Sequence, residues 1–332
     1  MTVIAKRALG RTGIEISELA IGGGVVGGIL PHGEPEAQQR LLSLALDSGI
    51  NWIDTAAAYG QGKSETALGA LLTTIPSAQH PHVATKFRLD PANLDDISGQ
   101  IEASVTASLK RLRLSSVTLL QLHNPLGGRQ RAAGGQTLAL NDIEKSGGVL
   151  DAMEALKAQG LTRHIGVTAL GVPDSCRRLI ESGRIDTAQI YYDLLNPSAG
   201  RAIGDTWSTT DFAGLIDACD AHGVGVLAIR AFAAGVLATR ERYGRESPLV
   251  PGAEIAVEEA RAERVFEVLG SAHGSRAQAA LRFALGNARI ASVILGLAEV
   301  GQLDEAIAAS AMGGLSAAAL TGLDRLYEAD FG

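Results

Sequence analysis

Val117-Thr118-Leu119-Leu120-Gln121-Leu122-His123 is apolar at most positions, shorter than an ordinary helix, and followed by Asn124-Pro125. A strand that is apolar on successive rather than alternate residues is covered on both faces, as in a parallel sheet flanked by helices. Seven more runs of this kind lie at 18–22, 51–55, 82–86, 164–168, 187–192, 225–230 and 292–296. Segments with helical spacing separate them: 36–47, 64–72, 94–112, 148–159, 173–182, 211–222, 262–285 with an interruption near Gly274, and 300–310. In Ser104-x-x-x-Ser108-Leu109-x-x-Leu112 and Val149-x-x-Met153-x-x-Leu156, steps of three and four turn one face inward.

Eight strand–helix repeats point to a (β/α)8 TIM barrel of the α/β class. Ahead of them, residues 5–16 alternate around a glycine-centred turn and read as a β-hairpin lid. Barrels of this size commonly form one domain, so residues 1–332 are taken as a single unit. An open doubly wound sheet would want G-x-G-x-x-G opening a helix after the first strand. Gly22-Gly23-Gly24-Val25-Val26-Gly27-Gly28 is rich in glycine, but helical spacing begins only near Glu36.

With 46% hydrophobic residues and a net charge of −7, the chain carries no basic patch for nucleic acid. No apolar run reaches membrane-spanning length and the start lacks a signal-peptide core, so the expectation is a cytoplasmic protein, monomer or small homo-oligomer. Cys176 and Cys219 have no C-x-x-C pairing and read as buried thiols. The loops at 124–146 and 243–256 are long, and in a barrel both follow strands at the C-terminal rim, where pockets are built.

Asp54, Lys86 and His123 close three of the successive apolar runs, and Tyr59 follows in the loop after the first of them. Parallel neighbours would bring these ends to one face, although the residues span about seventy positions. Singly, Asp54 could cap a helix, Tyr59 pack in a loop, Lys86 form a rim salt bridge and His123 sit satisfied in a core. Jointly they suit reversible proton transfer to a carbonyl. A phenol has an ordinary pKa of about 10, and a nearby ammonium favours its phenolate. A carboxylate behind the amine keeps it charged, and an imidazole opposite orients a substrate oxygen. No H-x-x-x-H or H-E-x-x-H spacing suggests a metal.

These residues sit within motifs that resemble the aldo-keto reductases over nearly the whole chain. The motifs are Leu9-Gly10-Arg11-Thr12-Gly13, Asp54-Thr55-Ala56-x-x-Tyr59-Gly60 with Ser64-Glu65, Thr85-Lys86, Gln121-Leu122-His123, Gly160-x-x-Arg163-x-Ile165-Gly166-Val167-Thr168, Gln189-x-x-Tyr192, Gly235-Val236-Leu237 and Val293-Ile294-x-Gly296. The resemblance implies a barrel with a nicotinamide cofactor across its rim. Tyr59 would be proton donor and acceptor, Asp54 and Lys86 its tuning pair, and His123 the orienter of the substrate oxygen.

It further implies that Gln189 and Thr168 hold the nicotinamide carboxamide, although Ala169 stands where the family usually has Asn. Ile229-Arg230-Ala231-Phe232 replaces the common Tyr-Ser-Pro-Leu, so Ile229 or Phe232 would support the ring and Arg230 meet the pyrophosphate. Gly23, Gly235 and Gly296 complete the expected cofactor contacts. Relatives that use NADP place a cation at the last strand–helix junction. Here Glu299, Gln302 and Glu305 stand there without one, which favours NAD, with NADP as the alternative.

Within the family the likeness is to dehydrogenases of L-galactose, L-fucose and other D-threo-aldoses. It rests on 142–151, on Gly166-Val167-Thr168-Ala169-Leu170-Gly171 and on Ile229-Arg230. The implied substrate is a sugar or other small carbonyl compound, oxidised as a cyclic hemiacetal to its lactone. Alternatives are a pyridoxal-type dehydrogenase, an NADPH-linked reductase of small aldehydes or ketosugars, a Schiff-base aldolase using Lys86, and a cofactor-sensing subunit without chemistry.

Overall fold

A computed structural model describes residues 3–128, 136–242, 244 and 254–332. Parts of both long rim loops, at 129–135, 243 and 245–253, lie outside the described residues. Strands β1 (Lys6–Ala8) and β2 (Glu15–Ser17) pair antiparallel, Lys6 opposite Ser17 and Ala8 opposite Glu15. Eight parallel strands follow: β3 (Leu19–Gly22), β4 (Trp52–Asp54), β5 (His82–Phe87), β6 (Val117–Leu122), β7 (Thr162–Thr168), β8 (Thr187–Tyr191), β9 (Gly225–Ile229) and β10 (Ile290–Gly296). They close in the order β10-β3-β4-β5-β6-β7-β8-β9, a (β/α)8 TIM barrel preceded by the hairpin.

Two apolar layers follow from the strand alternation. One set of side chains fills the barrel: Ala20, Trp52, Ala84, Leu119 and Leu227 are fully buried there. The other set, including Ile21, Ile53, Val83, Leu120 and Ile165, packs outward among the buried residues of the surrounding helices. Leu9 and Ile16 of the hairpin belong to the inner set. The hairpin docks where strands begin: the Arg11 amide donates to Gly223 O at 2.8 Å, and the Arg7 guanidinium to Ile290 O at 2.9 Å. It therefore plugs the N-terminal end of the barrel and leaves the opposite mouth open. Gly225 has no Cβ for a simple reason, since one built there would lie 2.6 Å from Leu9 Cδ1.

The helix expected over 94–112 starts at Ile97 because Asp96 caps it, its carboxylate accepting from the Gly99 amide at 2.8 Å. The helix expected over 211–222 contracts to Leu215–Ala221 behind Gly214, whose φ of 65° breaks the turn. The periodic stretch at 262–285 is two helices, Ile255–Leu269 and Arg276–Leu285. They are separated by Gly270 and Gly274 at positive φ and restarted by a Ser275–Gln278 capping box. Short helices Ile29–His32 and Leu140–Glu144 and the long Ala317–Glu328 were not anticipated. Among the described residues no helix is long and apolar enough to cross a membrane.

Candidate active site

The register of β4, β5 and β6 brings the expected catalytic residues to one end. Asp54 pairs with Ala84, Lys86 with Gln121, and His123 directly follows β6. The loop carrying Tyr59 is stitched to β5: Thr55 N donates to Ala84 O at 2.8 Å and Ala57 N to Lys86 O at 3.1 Å. A second layer braces this corner. Thr85 donates to buried Glu65 at 2.5 Å, Arg111 donates to the same carboxylate at 2.6 Å, and the Thr55 and Ser64 hydroxyls lie 2.8 Å apart.

Lys86 is 1% exposed and Asp54 2%. The Lys86 ammonium donates to the Asp54 carboxylate, to Thr55 O at 2.9 Å and to the Tyr59 hydroxyl at 3.3 Å. Asp54 also accepts from Gln189 Nε2 at 2.5 Å and Gln121 Nε2 at 3.3 Å. Burial pushes the Asp54 carboxyl upward, against the pull of Lys86 and the two amides. Burial likewise opposes the charge on Lys86, but Asp54 and Tyr59 together outweigh it and hold the amine above its ordinary value. The pair is thus an ammonium locked to a carboxylate, with the phenol as the ammonium's outward neighbour.

The Tyr59 and His123 rings meet edge-on, centroids 5.6 Å apart at 89°. Burial, then the charges of Lys86 and Arg88, push the His123 imidazole down to about 2. It is a neutral ring, and its Nδ1 is buried without a partner. Because the folded value lies below the unfolded one, the associated stability is present above about pH 6.5 and is lost as acid protonates the unfolded chain. Relative to His123→Gln, the wild type should therefore lose about 2 kcal/mol more between pH 7 and pH 5. Denaturant unfolding at the two pH values checks this, and equal losses would contradict it.

These groups open onto a cleft of about 760 Å³, within the range of cofactor and small-molecule sites. Asp54, Tyr59 and His123 line one end of it, while Lys86 stands behind Asp54 rather than in the wall. Thr168, Gln189, Ile229, Arg230, Phe232, Gly235, Gly296, Glu299, Gln302 and Glu305 line the remainder. Gly23 does not: its amide donates to Asp54 O at 2.7 Å, and an added Cβ would strike Ser64. Its lack of a side chain answers to packing behind the wall, not to contact across the cleft. Arg230 sits at φ 63°, with its guanidinium 5.7 Å from the Tyr191 ring centroid, where its charge bears on the Tyr191 hydroxyl.

Arg88, Leu170 and Tyr191 also line the cleft and were not singled out from the sequence. The available signal was position alone, since each stands at or just beyond the C-terminal end of a barrel strand. Gln121, in the sequence one member of the Gln121-Leu122-His123 motif, is a donor to Asp54.

The lining suits a nicotinamide cofactor on two observations. Thr168 Oγ1 is buried without a partner in the wall, beside a Gln189 whose amide nitrogen is committed to Asp54 and whose oxygen remains to accept. At the far end, the 11-residue helix Gly301–Ala311 begins beside the cleft, with Gln302 accepting from the Ala298 amide at 2.8 Å and Glu305 accepting from Ser275. Among the described residues no group of three or more His, Cys, Asp or Glu is placed to hold a metal.

A profile of the Aldo/keto reductase family matches residues 18–328. L-galactose dehydrogenase of Arabidopsis thaliana is 28% identical over 313 residues, covering 93% of this chain and 89% of its own. D-threo-aldose 1-dehydrogenase of a Pseudomonas species is 27% identical over 327 residues, covering 90% of each. The holo form of an aldo-keto reductase from Bacillus halodurans superposes with a TM-score of 0.74 at 23% identity, over 99% of this chain and 100% of that one. The chain belongs to the aldo/keto reductase family of oxidoreductases.

Proposed function

We propose that this protein oxidises an aldose, in its cyclic hemiacetal form, at the anomeric carbon to the lactone, using NAD. The observation that carries the chemistry is the unbroken contact from Asp54 through Lys86 to the Tyr59 hydroxyl, with the neutral His123 ring against the phenol. Bound nicotinamide would accept the hydride. The protein handles the proton. The Tyr59 oxygen takes it from the sugar hydroxyl, and the Lys86 ammonium stabilises the phenolate that does so. Asp54 keeps that ammonium charged and in place. His123, neutral, hydrogen-bonds the substrate oxygen without placing a second positive charge beside Lys86. In the reverse direction the phenol returns the proton to a carbonyl oxygen.

Thr168 and Gln189 would hold the carboxamide, and Ile229, Phe232 and Arg230 would carry the rest of the nicotinamide half. An aldolase using Lys86 is disfavoured, since that amine is buried, paired and absent from the cleft wall. The sugar assignment draws support from two relatives named as dehydrogenases of L-galactose and of D-threo-aldoses.

The choice of NAD rests on the cleft's far end. Glu299 and Glu305 line it, and the cations in the lining among the described residues are Arg88 and Arg230, just beyond β5 and β9. Carboxylates repel a 2′-phosphate but accept from ribose hydroxyls. NAD should bind at least about tenfold tighter than NADP, a gap of roughly 1.4 kcal/mol. Tighter NADP binding by fluorescence titration would sink that choice. A panel of L-galactose, L-fucose, pyridoxal and simple aldehydes, scored by nicotinamide absorbance with each cofactor in both directions, tests the activity. Aldose oxidation with NAD supports it; turnover confined to aldehyde reduction with NADPH overturns it.

A further inference from the structure

The ring of strands divides the cleft into two arcs. Thr168, Gln189, Ile229, Phe232 and Glu299 belong to β7, β8, β9 and β10 or follow them, and they form the arc suited to the cofactor. Tyr59 and His123 belong to the other arc, which follows β4 and β6. Arg88 lies on this second arc, one residue beyond β5. Strand β9, which carries Arg230 at its exit, stands four places from β5 in the eight-strand circuit, on the opposite side of the mouth. A cofactor seated on its own arc leaves Arg88 to the substrate.

The charges on this arc leave Arg88 uncompensated. Lys86 is neutralised by Asp54. His123 is uncharged. Arg88 itself lines the cleft, is exposed to it, and makes no hydrogen bond or ion pair with another described residue. Asp90, two residues on in the sequence, turns its carboxylate to the Ala92 amide at 2.9 Å and makes no ion pair with Arg88. A guanidinium presented to a concave site without a counter-ion is a ready fork for a carboxylate or phosphate.

We propose that Arg88 is a specificity-determining residue and that the physiological aldose carries an anionic group, a carboxylate or a phosphate, away from the reacting carbon. This deepens the reading of the site as an aldose dehydrogenase and rests on it. Arg88 takes the anion, which turns the anomeric hydroxyl toward Tyr59 and His123.

The test compares kcat/KM with NAD for a hexose, its 6-phosphate and the matching hexuronate. In the wild type one anionic sugar should exceed the neutral hexose by about 10- to 100-fold, the usual weight of a charge-assisted contact. Whichever of the two does so identifies the group. Arg88→Gln should bring that ratio down toward unity, and Arg88→Lys should retain part of it. Thermal melts of both variants show that they are folded. A neutral hexose used as well as both charged ones, or a ratio that survives Arg88→Gln, overturns the proposal. If no aldose is turned over, the aldose reading itself has failed. The same ratio is then measured for a carboxyl-bearing aldehyde against its uncharged counterpart, reduced with NADPH. A ratio near unity there overturns the role of Arg88 independently.

Discussion

Tyr59→Phe lowers kcat/KM by about 10²- to 10⁴-fold, the usual weight of a positioned proton donor or acceptor. The substitution removes one oxygen, the one 3.3 Å from the Lys86 amine, and leaves the ring against His123. The loop is held by backbone bonds from Thr55 and Ala57 to β5, none of which involves the phenol. The fold and the cofactor arc therefore persist, and nicotinamide affinity changes by no more than about twofold, because a group that acts in the transition state adds little to ground-state binding. Steady-state kinetics beside a binding titration read both quantities. Near-wild-type turnover would mean that the proton travels by another route.

Lys86→Met damages activity and stability together. Without the ammonium, nothing charged stands beside the phenol to stabilise phenolate, so kcat falls by about 10²- to 10⁴-fold. Asp54 is then left 2% exposed with only Gln189 and Gln121 as donors. Breaking a buried pair from one side costs about 3–5 kcal/mol. Adding Asp54→Leu removes the stranded carboxylate. The double variant should recover much of the lost stability and none of the lost activity. Denaturant midpoints together with kcat separate the two effects. If Lys86→Met alone melted at the wild-type temperature, Asp54 would not depend on Lys86 as the geometry indicates.

The barrel was legible because its strands are buried on both faces, and double burial writes itself as runs without alternation. All eight runs, from 18–22 to 292–296, are strands in the closed ring. Positions at strand ends were legible for the same reason: once the ring closes, Asp54, Lys86 and His123 have one place to go. Helix termini were less so. Asp96 and Gly214 set boundaries by capping and by positive φ, which apolar spacing does not report. Ala317–Glu328 was missed because it lies past the last strand, where no strand–helix rhythm announced it.

The cleft shows where pattern stops. Gly23 and Gly296 looked alike as glycines at strand exits, but one packs behind Asp54 and the other lines the wall. Arg88 carried no motif at all. Its significance comes from what does not neutralise it, and that is a property of three dimensions. The donation of Gln121 and Gln189 to a single Asp54 oxygen joins β4, β6 and β8 across the barrel, a convergence that spacing does not reveal.

The most direct measurement follows a deuteride. An aldose that the enzyme turns over, labelled with deuterium at its anomeric carbon, is incubated with NAD and the wild-type protein, and the products are weighed by mass spectrometry. One lactone and one deuterated NADH per turnover are expected. Unlabelled NADH, or sugar consumed without reduced nicotinamide, would contradict it.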